Sequence, residues 1–131
     1  MAEETHISLP RILVNQLLHA AQSAPDSIRW GIISGRDGKP EHCHGLNGSP
    51  PPAMHTIRAL QQTLAQDGER VWALYCSDPG EIYVPNPSEL ARLSVPRFLG
   101  VSLGTKGVLQ LRGWWTDGAR LRELEVAIRE T

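Results

Sequence analysis

Two short stretches of this chain carry side chains that can do chemistry. The first runs Tyr75-Cys76-Ser77-Asp78-Pro79 and resumes as Pro85-Asn86-Pro87-Ser88-Glu89-Leu90. A thiol and two carboxylates stand there, each of a type that ligates metal ions, and no histidine stands among them. Each also has a plain structural reading. Cys76 closes an apolar run and suits a small buried hydrophobe. Asp78, ahead of Pro79-Gly80, is a turn former. Asn86, Pro87, Ser88 and Glu89 spell a helix start: an N-cap, a proline in the first turn and a glutamate at the third helical position, as in a capping box. A thiol nucleophile at Cys76 lacks a neighbouring histidine in sequence, so it would need His42, His44 or His55 brought to it by the fold.

The second stretch is His42-Cys43-His44. On a strand the two histidines share one face, which suits chelation. No third ligand stands at an evident spacing, and two surface histidines on an edge strand is the plainer reading. Trp114-Trp115 is a different kind of signal. On a strand the pair points to opposite faces, so one ring is the more exposed, and an exposed Trp is a typical interface anchor. A helix packed over it is the alternative.

The elements that position these residues follow from periodicity. Leu9-Pro10 opens a helix with Ile12, Leu13, Leu17, Leu18 and Ala21 on one face, stopped by Pro25-Asp26. Ile28 to Gly35 reads as a buried strand, Asp37-Gly38 as a hairpin turn, and Glu41 to Leu46 as a polar edge strand. Residues 47–52 form a Pro-rich loop. A second helix carries Ile57, Leu60 and Leu64 and ends at Asp67-Gly68. Val71 to Tyr75 is a short apolar strand, residues 76–86 a loop, and a short helix begins near Pro87. Phe98 to Leu103 and Val108 to Trp115 are strands joined by Gly104-Thr105-Lys106-Gly107. Thr116 or Asp117 then caps a final helix bearing Leu121, Leu124, Val126 and Ile128. The expected class is α/β (α+β), with a mixed, mostly antiparallel sheet flanked by helices.

The order and spacing of these blocks resemble the JAB/MPN (JAMM, Mov34-type) metallopeptidase family over nearly the whole chain. Ile7 to Pro10 with the first helix, and Trp30 to Gly35, look like that family's first helix and first strand. Tyr75 to Leu90 looks like its metal loop, and Arg97 to Leu103 and Leu109 to Trp114 look like its next two strands. The resemblance implies a JAB/MPN, cytidine-deaminase-like architecture. The family motif is a glutamate, then His-Ser-His-Pro, and later a serine, two residues and an aspartate. Cys76-Ser77-Asp78-Pro79 falls on the first block, Asn86 on the serine and Glu89 on the aspartate. The resemblance therefore makes Cys76, Asp78 and Glu89 the metal positions, a thiolate with two carboxylates being an uncommon zinc set. The family's general base stands three residues before a strand glycine, which here is Ile28 before Gly31. An isoleucine transfers no proton, and such help is typically worth about 10²–10⁴-fold. Asn86 replaces the serine that assists the oxyanion.

Bulk properties narrow the classes. The 131 residues imply one domain spanning 1–131, able to fold without a structural metal. A net charge of −1 with interspersed signs offers no basic stripe for nucleic acid. No apolar run is long enough to span a membrane. The acidic N-terminus lacks signal-peptide character, and two cysteines fit a reducing cytoplasm. The resulting expectation is a non-catalytic relative of the JAMM peptidases with no cofactor. Its partner is a protein: the tail of a ubiquitin-like or sulfur-carrier protein, or an active JAMM subunit. The alternative is a zinc metallopeptidase or isopeptidase using Cys76, Asp78 and Glu89.

Overall fold

A computed structural model describes residues 5–23, 26–46, 52–104 and 107–130. Seven strands form one sheet in the order β1-β7-β6-β5-β4-β2-β3. They are β1 (His6–Pro10), β2 (Arg29–Arg36), β3 (Lys39–Gly45), β4 (Arg70–Ser77), β5 (Arg97–Ser102), β6 (Gln110–Thr116) and β7 (Leu121–Arg129). The helices are α1 (Arg11–Ser23), α2 (Met54–Gln66) and α3 (Pro87–Leu93). The pairs β1/β7 and β4/β5 are parallel and the other four antiparallel, so the sheet is mixed and mostly antiparallel, as the turns imply.

Strand alternation divides the core in two. On one face Ile33, Ala73, Tyr75, Leu99 and Leu124 pack under Leu13, Val14 and Leu17 of α1. On the other, Trp30, Ile32, Leu74, Cys76, Phe98 and Trp114 pack under α2 and α3 through Ile57, Leu64, Leu90 and Leu93. The β2–β3 hairpin turns at Asp37 and Gly38, both at positive φ (54° and 74°), the backbone that a two-residue hairpin twist requires. Two bulges interrupt the regular ladder. Glu41 is the extra residue of β3 opposite Ser34 and Gly35, and Trp72 is the extra residue of β4 opposite Ile33 and Ser34. No helix among the described residues is long and apolar enough to cross a membrane.

Several expectations are corrected. The segment expected as a final helix is β7. Leu124, Val126 and Ile128 alternate with Glu123, Glu125 and Ala127, and that period of two is met by β6 on one side and β1 on the other. The residues read as helix caps close the β6–β7 turn instead. Asp117 Oδ1 accepts from the N–H groups of Ala119 (2.9 Å) and Arg120 (3.0 Å), and Thr116 Oγ1 accepts from Gly118 (3.0 Å). Asp and Thr side chains satisfy a tight turn as readily as a helix end. The strand β1, read as helix entry, exists because β7 offers it an edge. Pro10 ends that strand and α1 begins at Arg11. The expected stop at Pro25 and most of the 47–52 loop lie outside the described residues.

Candidate functional site

The loop-and-helix segment 78–93 joins the parallel strands β4 and β5, and it carries most of the residues expected to do chemistry. Cys76 sits one residue from the end of β4, paired with Trp30 of β2 and Gly100 of β5. It is fully buried. Burial, then the nearby charges of Asp78 and Glu89, push its thiol up to about 12. Both carboxylates therefore lie close enough to act on the thiol, and they act against its ionisation.

Asp78 extends the parallel ladder by one bond, its N–H donating to Val101 O at 2.9 Å. Its Oδ1 accepts from the Gly80 N–H at 2.9 Å, closing the expected turn. Asn86 is the N-cap of α3, as its position before Pro87 implies. The reciprocal capping box is not formed. Asn86 Oδ1 accepts from the backbone N–H (2.9 Å) and the hydroxyl (2.8 Å) of Ser88, not from Glu89. Ser88 intercepts the cap because its hydroxyl reaches the same oxygen. Glu89 is left half-buried; burial first, and then its charge, raise the Cys76 thiol and the Tyr83 phenol.

Between Asp78 and Asn86 the loop folds back over the sheet. Tyr83 meets Trp30 edge-on at 5.1 Å and tilts against Phe98 at 6.0 Å. Ile82 lies so close over Gly100 that any Cβ there would collide with it. Ile82 and Tyr83 thus cover the two residues that flank Cys76 in the sheet. Sequence reading left them as anonymous loop positions. The available signal was Gly100 inside an apolar strand, which marks a close approach of another chain segment.

A zinc ion is the group the resemblance implies. Its donors would be a buried, protonated thiol beneath two packed side chains, a turn aspartate and a half-buried glutamate. Among the described residues no three His, Cys, Asp or Glu side chains stand where they could share a metal. This donor set does not fit zinc as it is arranged. Ile28, at the general-base position, lies in the bend before β2 and is 39% exposed.

The remaining candidates lie elsewhere. His42 is exposed on β3 and His44 half-buried, on the face that also carries Ser34. Ser34 is fully buried, and its Oγ lies 3.0 Å from Glu69 Oε1 and 2.8 Å from His44 Nε2. A carboxylate only accepts, so the hydroxyl donates to Glu69 and His44 Nε2–H donates to the hydroxyl. This Glu69–Ser34–His44 chain was not legible in sequence, because its members come from β2, β3 and the residue before β4. Trp114 and Trp115 do face opposite sides. Trp114 is buried against Phe98 at 5.9 Å with the Arg112 guanidinium 5.0 Å from its ring. Trp115 is half-buried against the α1-side core, with Arg122 5.7 Å from its ring.

Solved structures match this geometry across almost the whole chain, three of them as follows. Protein DSY2949 from Desulfitobacterium hafniense aligns with a TM-score of 0.68 and 20% identity, covering 95% of this chain and 94% of that one. A protein from Salinibacter ruber aligns at 0.60 and 18% identity, covering 94% and 91%. AF2198, a JAB1/MPN domain protein from Archaeoglobus fulgidus, aligns at 0.60 and 17% identity, covering 95% of this chain and 100% of that one. The chain has a JAB/MPN-like fold. No protein-family profile matches it, and no curated protein does. Within the JAB/MPN-like fold, the β4–β5 crossing with Cys76 at its floor is the place where the sequence motif put the metal.

Proposed function

We infer that this protein is a non-catalytic JAB/MPN-fold relative of the JAMM metallopeptidases, acting by binding a protein partner in the cytoplasm. The observation that carries the reading is Cys76. It stands at the first metal position, fully buried beside Ile82 and Tyr83, with an isoleucine, Ile28, at the general-base position. The partner is an extended polypeptide segment, such as the tail of a ubiquitin-like or sulfur-carrier protein, or a segment of an active JAMM subunit. The alternative, a zinc isopeptidase using Cys76, Asp78 and Glu89, draws on the proximity of both carboxylates to the thiol.

Elemental analysis and a cleavage assay separate the two. The purified protein should carry zinc well below one equivalent, and a chelator should leave its melting temperature unchanged. Ubiquitin-like fusions and isopeptide-linked chains should remain uncut above background. Stoichiometric zinc that survives desalting, with cleavage abolished by Cys76→Ala or Glu89→Ala, would establish the enzyme instead.

A further inference from the structure

The last strand of the sheet on one side, β3, leaves an open edge, and a groove follows it. Leu46 N–H donates to Trp30 O at 2.8 Å, so by the alternation of an antiparallel ladder Leu46, His44 and His42 direct their backbone groups at β2. Cys43 and Gly45 direct theirs away from the sheet. The one outward bond among the described residues confirms the phase: Cys43 N–H donates to Gln16 Oε1 of α1 at 3.2 Å. Between this edge and α1 lies a cavity of about 530 Å³, walled by Ile12, Gln16 and His19 on the helix side and Cys43 and Gly45 on the strand side, with Tyr75 among its lining residues. It shares Ile12 with a cavity of about 310 Å³ at Pro40, Glu41 and His42. It shares Ala20, Gly45 and Tyr75 with another of about 310 Å³ at Leu46 and Arg29. The three run end to end along the whole strand, and Ile12, 67% exposed, stands over the junction of two of them.

Charge and backbone say what fits. Lys39 and Arg129 line one end and Arg29 the other, without an ion pair among the described residues, in a chain of net charge −1. Among the described residues the only carboxylate lining the groove, Glu41, already accepts from the Arg36 N–H at 3.1 Å. A second copy of the chain does not suit this edge. Antiparallel self-pairing would bring the Arg29 end of one copy against the Lys39–Arg129 end of the other. The bulge at Glu41 and Pro40 blunt one end of the edge, so pairing is confined to the stretch around Cys43 and Gly45.

We propose that β3 is a docking edge for an extended peptide with an apolar centre and acidic flanks, which adds to the sheet as an eighth strand beside α1. The backbone groups of Cys43 and Gly45 supply the ladder bonds, the Ile12–Tyr75 cavity takes an apolar side chain, and the basic ends hold the acidic flanks. Gln16 occupies the Cys43 N–H when the groove is empty and is displaced on binding. This rests on the reading of the protein as a binding module and places its partner on the face opposite Cys76.

The test is a fluorescence-anisotropy titration of the intact protein with the synthetic peptide Asp-Glu-Val-Thr-Val-Ile-Val-Glu-Asp. The same peptide with Lys flanks, and one with Pro at the central Val, are controls. The acidic peptide should bind about tenfold tighter than the Lys-flanked one, a margin that shrinks with salt, and the Pro peptide should not bind. Arg29→Glu with Lys39→Glu should reverse the preference. Gln16→Ala should tighten binding several-fold, because the Cys43 N–H is then free, and Ile12→Asp should weaken it. These surface changes leave the β4–β5 loop untouched. Equal binding of both flanked peptides, unchanged affinity on Gln16→Ala, or a dimer in sedimentation that the peptide does not dissociate would each overturn the docking edge. If the peptide fails to bind a metal-free, inactive protein, the edge falls alone. If zinc and cleavage are found, the non-catalytic reading falls, and the peptide titration still decides the edge.

Discussion

At the scale of single residues, the two positions read together as a capping box have separate duties. Asn86 caps α3 through Ser88, while Glu89 turns its charge toward Cys76 and Tyr83. Asn86→Ala should therefore cost about 1 kcal/mol, a few degrees of melting temperature. Glu89→Gln, which keeps the shape and removes the charge, should cost far less. The pair should behave additively, because the two side chains share no hydrogen bond. Urea melts of both single variants and the double variant check this, and a strong sub-additive coupling would restore the reciprocal cap. The sequence identified Asn86, Pro87 and the helix start correctly. It could not choose between two donors, Ser88 and Glu89, that compete for one oxygen, since a rotamer decides that.

At the scale of elements, the loop from Asp78 to Asn86 lies on β5 at Gly100, the one position of that strand with no side chain. Gly100→Ala would drive a Cβ into Ile82 and against Trp114. The expected cost is about 1–3 kcal/mol, as for other overpacked sites. The double variant Gly100→Ala, Ile82→Ala should recover part of that loss in chemical denaturation. If Gly100→Ala is neutral by itself, the loop does not press on β5 as described. The helix expected at residues 121–128 shows the opposite limit. Leu121, Leu124 and Ile128 match helical spacing, and Leu124, Val126 and Ile128 match strand spacing, so the pattern alone is ambiguous. Two open neighbours, β6 and β1, resolve it in favour of a strand, since their backbone groups are otherwise unpaired.

At the scale of the whole molecule, burial ties several ionisable groups to one pH dependence. Cys76 is pushed up to about 12 by burial, and Cys43 and Tyr75 are also raised, burial being the largest cause in each. A raised folded value means that the folded state keeps a proton the unfolded chain has lost. The stability from Cys76 is thus fully present below about pH 9 and declines as pH rises toward 12, at about 1.4 kcal/mol per pH unit for one group. Melts at pH 7.5, 9 and 10.5 should show that fall, and Cys76→Ala should make it shallower, leaving the part due to Cys43 and Tyr75. A pH-independent curve would mean that the thiol is not buried in solution. The sequence by itself determined the order of elements from α1 to β6, the hairpin at Asp37-Gly38, the edge position of the strand bearing His42 and His44, the start of α3, and the JAB/MPN-like class. All of these rest on local periodicity, turn chemistry and block order. Only the tertiary structure decided that Ile82 lies over Gly100 and Tyr83 against Trp30, that Glu69, Ser34 and His44 share one chain of bonds, and that β1 completes the sheet beside β7. Those outcomes depend on which distant segments meet, and no local pattern encodes a meeting between residues separated by tens of positions.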